Sequence, residues 1–120
     1  MKYPSTIKSI KAAIRGISFT FTHEKNFRIE VVSAFLVMIF LFITDAEVWR
    51  WLVSMMMIVI IMTTELANTA VERVVDMLKP QKHPYAKVVK DIAAGMVLVA
   101  VVGVGIAGVI VLWPLVYRFF

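Results

Sequence analysis

The sequence predicts an all-α membrane protein, with three membrane-spanning helices preceded by an N-terminal amphipathic surface helix. Three observations carry this expectation. Of the 120 residues 61% are hydrophobic and mean hydropathy is positive, too apolar for a soluble domain, which needs a charged surface. Residues 31–44, 51–64 and 92–117 contain no charged side chain. Ahead of them, apolar and basic residues recur at helical spacing. The third stretch can cross a bilayer by itself. The first two are short enough to be buried core helices, but their flanks can extend them, because Arg28 can snorkel and Glu65 can sit inside a bundle.

The elements follow in order within one domain, 1–120. Residues 4–24 form the surface helix: Ile7, Ile10, Ile14, Ile17 and Phe21 share one stripe, while Lys8, Lys11 and Arg15 share another. This pattern suits a helix lying in the headgroup plane or packed on the bundle with its basic face solvated. A polar passage, 22–30, leads into the first span, 28–44. Trp49 and Trp51 then suit a membrane interface. The second helix covers 47–78, since no Gly or Pro interrupts it. Pro80 and Pro84 enforce a turn, and the third span covers 85–118. Its Ala93, Ala94, Gly95, Ala100, Gly103 and Ala107 permit close helix packing.

The basic residues set the orientation. Six Lys or Arg lie in the N-terminal arm up to and including Arg28, Arg50 alone lies in the next loop, five fall from Arg73 to Lys90, and Arg118 alone ends the chain. The positive-inside rule then puts the N-terminus in the cytoplasm and the C-terminus outside, in a multi-pass membrane protein. The net charge of +5 lies beside the spans, which favours lipid headgroups or nucleotide phosphates over nucleic acid as partners. The chain has no cysteine, so neither disulfide nor thiolate chemistry enters. Residues 1–15 lack the apolar core of a cleaved signal.

The organising stretch is 65–76. At ~100° per residue Glu65, Asn68, Thr69, Glu72 and Asp76 fall within about a third of the helix circumference. Arg73 sits off that face, so no basic residue in the stretch cancels the carboxylates locally. Glu65 lies ~21 Å along the helix from Trp51 and Glu72 ~32 Å, either side of the inner edge of a ~30 Å hydrocarbon layer. Glu24, Lys90 and Asp91 are expected at the same level. Such a site can join a solute in water to an alcohol in oil. Glu24 and Glu72 can share Mg²⁺, Lys90 and Asn68 can meet a phosphate, and Glu65, partly desolvated, can take a proton from a lipid hydroxyl. No Gly-rich phosphate loop is present, so spacing alone does not identify ATP.

The segment 65–76, followed by His83-Pro84-Tyr85-Ala86-Lys87-Val88-Val89-Lys90-Asp91-Ile92-Ala93-Ala94-Gly95, closely resembles the small prokaryotic diacylglycerol kinase family, which includes the undecaprenol kinases. Glu24 and Asn26-Phe27-Arg28 match the polar entry to that family's first span. The resemblance implies an ATP-dependent lipid kinase of the bacterial inner membrane, built as a homotrimer with active sites shared between subunits. It implies Glu65 as general base and Glu24 and Glu72 as ligands of Mg²⁺. Asn68, Asp76, His83, Lys90 and Asp91 would surround the nucleotide, and Glu65, Arg28, Glu30 and Ala94 would meet the lipid. The His83-to-Gly95 motif has the form of the undecaprenol kinase branch, whereas the acid at Glu30 is a feature of the diacylglycerol branch. The expected acceptor is undecaprenol, with diacylglycerol as the alternative. A small proton- or cation-handling membrane subunit is the non-enzymatic alternative.

Overall fold

The computed structural model describes residues 5–78 and 84–120, and among them there are four helices and no strand. The first, α1, spans Thr6–His23. Ser5 caps it by accepting a hydrogen bond from the Lys8 amide, as a short hydroxyl at that position commonly does. Its stripe of Ile7, Ile10, Ile14 and Ile17 is exposed. Helix α2, Lys25–Ile43, begins immediately after Glu24, whose extended backbone separates the two helices. The elbow is secured from the far side: Arg28 Nη1 donates to the carbonyls of Phe21 and Thr22 at 2.8 and 3.0 Å, groups that the end of α1 would otherwise leave unpaired.

α2 ends in a Schellman turn. The Asp45 amide bonds the Phe42 carbonyl and the Ala46 amide bonds that of Leu41, with Asp45 itself at φ 48°, the position usually held by glycine. Helix α3, Val48–Met77, and helix α4, Pro84–Phe119, follow. Helices α2, α3 and α4 are each long and apolar enough to cross a membrane. The chain therefore has the all-α, three-span architecture that its sequence predicts.

α3 is the axis of the molecule. It packs most extensively on α4, less on α2, and also touches α1. The resulting slab measures 54 × 38 × 21 Å. Few large side chains are buried, among them Phe27, Leu41 and Leu115, while Phe35, Leu36, Leu52, Leu98, Ile106 and many others face outward. Apolar exteriors are normal where the solvent is lipid, since packing rather than water drives helix association there.

The end of the bundle distant from residue 65 is tied by ions. Glu47 bonds Arg118 at 2.8 Å and Arg50 at 2.5 Å, and Arg50 also donates to the Val111 carbonyl. This pins the start of α3 to the end of α4. The hydrogen bonds from Arg118 first, then from Arg50, hold the Glu47 carboxyl down at a pKa of about 2, because both stabilise the charged form.

Candidate active site

The polar face of α3 folds as helical periodicity requires. Glu65, Asn68 and Thr69 are buried, with Glu65 only 2% exposed, and Glu72 is half-buried one turn further on. Thr69 turns its hydroxyl back to the Glu65 carbonyl at 3.0 Å, so it leaves the Glu65 carboxylate free. Asn68 Nδ2 donates to Glu72 Oε1 at 3.3 Å and holds that side chain along the helix. Glu65 Oε2 and Asn68 Oδ1 are buried with no hydrogen-bond partner. Orphaned polar atoms inside an apolar bundle are costly, and they mark places where a ligand completes the structure.

Carboxylates from two other positions gather here. Glu24, at the α1–α2 elbow, and Glu72 both lie within electrostatic reach of Glu65, and Glu30, one turn into α2, lies within reach of Glu65 as well. Glu30 Oε2 is also buried and unpartnered. Four acids from three stretches of sequence therefore face a common region, although among the described residues no three acids or histidines close on a single metal-binding point.

Asp76 pairs with Lys90 at 2.5 Å, one turn beyond Glu72, and ties α3 to α4. Asp91 is engaged by Lys87 at 2.9 Å on an exposed part of α4. Arg28 is spent on the elbow rather than on the acids. Ala94 is exposed, and His83 lies outside the described residues. One cation escaped the reading of the sequence in this role: Arg73 Nη2 reaches Glu24 Oε1 at 3.3 Å, a pairing across 49 residues that no local periodicity signals.

A cavity of about 470 Å³ runs between α2, α3 and α4, with Asn26 and Glu30 among its polar lining and Ser54, Gly108 and Leu112 further along. Ser54 is buried and its Oγ has no partner. Ser54 lies ~16 Å from Glu65 along α3 at the usual rise, so the cavity extends from the acidic end deep between the apolar helices. Its size and mostly apolar lining are those of a small-molecule site.

Comparisons with known proteins agree on one family. The family model for prokaryotic diacylglycerol kinase matches residues 11–112. The chain is 36% identical to the undecaprenol kinase of Bacillus subtilis over 107 residues, 89% of this chain and 87% of that protein. It is 35% identical to a diacylglycerol kinase of Synechocystis sp. over 112 residues, 92% of this chain and 64% of that protein. Against the diacylglycerol kinase of Escherichia coli strain K12 the identity is 26% over 107 residues, 89% of this chain and 88% of that protein.

Proposed function

The chain belongs to the prokaryotic diacylglycerol kinase family and is a lipid kinase, and from that premise we propose that it phosphorylates undecaprenol with ATP at the inner leaflet. The observation that carries the reading is the buried Glu65 carboxylate, whose Oε2 has no hydrogen-bond partner, set within reach of Glu24 and Glu72 on a helix long enough to span a membrane. Family membership removes the non-enzymatic alternative. The undecaprenol assignment rests on the His83-to-Gly95 motif and on the 36% identity to an undecaprenol kinase. Glu30 and the 35% identity to a diacylglycerol kinase favour diacylglycerol as the second reading.

In this account Glu65 accepts the proton of the lipid hydroxyl as its oxygen bonds to the γ-phosphorus. The bond from that phosphorus to the bridging oxygen of ADP breaks, giving a lipid phosphate and ADP. Phosphoryl transfer asks mainly for positioning and charge neutralisation, and the residues divide these tasks. Glu24 and Glu72 offer hard oxygen donors, which fit Mg²⁺, an ion that takes one or two carboxylates and leaves its other positions to phosphate and water. When bound, the ion neutralises phosphate charge. Asn68 holds Glu72 in place and offers its own oxygen. Lys90, Asp76, Asp91 and His83 are proposed at the nucleotide, and Arg28, Glu30 and Ala94 near the lipid. The cavity beside Glu30 would receive part of the lipid tail.

The thin slab leaves this region open, and we assign the closing wall to neighbouring subunits of a homotrimer with shared sites. The basic-residue bias supports a cytoplasmic acidic end and N-terminus, with the C-terminus outside. Phosphate transfer from ATP to undecaprenol and to diacylglycerol, each in detergent with and without Mg²⁺, tests the proposal. The expected outcome is Mg²⁺-dependent transfer with undecaprenol as the better acceptor. Faster turnover of diacylglycerol would reverse the substrate assignment, and transfer independent of a divalent ion would remove the metal role.

A further inference from the structure

Arg73 stands one residue beyond Glu72 and, at ~100° per residue, faces a different direction. That turn aims it at α1 rather than along the acidic stripe. Its guanidinium contacts Glu24 Oε1 through a single 3.3 Å bond, and its Cζ lies 5.2 Å from the centre of the Phe19 ring. Phe19 in turn stacks on His23 with centroids 4.0 Å apart. The cation thus rests on an aromatic shelf at the C-terminal end of α1 and from there holds the elbow carboxylate.

Two features make this contact exchangeable. Arg73 is about half exposed and Glu24 about a fifth, so water can reach both. The contact also uses one nitrogen and one oxygen, not the two-pronged geometry that makes arginine–carboxylate pairs strong. The aromatic shelf gives the guanidinium a resting place that does not depend on Glu24. Glu24 also lies within electrostatic reach of Glu65, so an unpaired Glu24 would add repulsion to a region already holding several acids.

We propose that Arg73 is a positioning residue that neutralises and holds Glu24 until a divalent cation takes its place. The guanidinium and the cation compete for the same carboxylate, and the displaced arginine remains on Phe19 beside the incoming phosphates. This inference rests on Glu24 being a metal ligand, as proposed above. Arg73→Gln then makes divalent ions bind more tightly, because nothing has to be displaced, whereas a merely structural arginine would leave affinity unchanged or weaken it.

The test is Mn²⁺ titration of the full-length protein in detergent, followed by electron paramagnetic resonance, with thermal unfolding measured in the absence of metal. Arg73→Gln is expected to tighten Mn²⁺ binding by about two- to five-fold, the range set by exposed ion pairs, while lowering the metal-free unfolding temperature. Arg73→Lys keeps the charge and is expected to restore Mn²⁺ affinity to near the starting value. Equal or weaker Mn²⁺ binding in Arg73→Gln overturns the exchange. Should Arg73→Gln not fold, affinity of Arg73→Lys far from the starting value overturns it. Glu24→Gln separates the two ideas: if it leaves Mn²⁺ binding intact, Glu24 is not a ligand and the parent reading fails; if it weakens binding while Arg73→Gln changes nothing, only the competition is wrong.

Discussion

In the proposed reaction Glu65 is the general base, and its surroundings suit a glutamate in that role. Thr69 spends its hydroxyl on the backbone and Asn68 spends its amide on Glu72, so neither neutralises the buried acid. Burial without a fixed partner is what a group needs in order to take up a proton during turnover. The stripe of Glu65, Asn68 and Glu72 was legible because a helix repeats every 3.6 residues, and the same spacing that places them on one face buries Glu65 and Asn68 and half-buries Glu72 on α3. The Glu24–Arg73 contact was not legible. It depends on how α1 returns over α3, a tertiary outcome with no local pattern. Nor was the paired state of Lys90, which the sequence presents as a free cation and the fold gives to Asp76.

Individual elements explain how the site is held. The polar passage 22–30 has no Gly or Pro, and the chain uses it as two helices meeting at Glu24, with Arg28 fastening the joint. The elbow therefore presents Glu24 as a consequence of helix termination. At the other end of α2, Asp45 occupies the left-handed region, which costs an L-residue more than glycine. Asp45→Gly should raise stability by about 0.5 kcal/mol, the relief being partly offset by glycine's greater freedom when unfolded, as read from thermal unfolding in detergent. The Glu47 tie gives a pH test. Its carboxyl is held near 2 against an ordinary 4.5, so its contribution is complete above about pH 5 and disappears as pH falls through 2. Glu47→Gln should lower the unfolding temperature at pH 7, and the difference from the parent chain should close between pH 5 and pH 2.

At the scale of the whole molecule, the three uncharged stretches predicted three spans, and the chain has three helices able to cross a membrane. What composition could not give is their lateral order. Placing α3 between α2 and α4 leaves a cavity of about 470 Å³ that runs from the acidic end into the apolar region, and only the packing reveals it. The arrangement connects the proposed reaction to its two phases: carboxylates gather at one end of the bundle, and an apolar channel leads away from them. The family resemblance predicts subunit assembly, which would cover part of the slab's exposed apolar surface. The most direct measurement is transfer of labelled γ-phosphate from ATP to undecaprenol by the parent protein and by Glu65→Gln, with nucleotide binding measured on the same samples. Loss of a positioned general base should slow transfer about 10²- to 10⁴-fold while ATP binding stays unchanged. Transfer by Glu65→Gln at the parent rate would contradict the account.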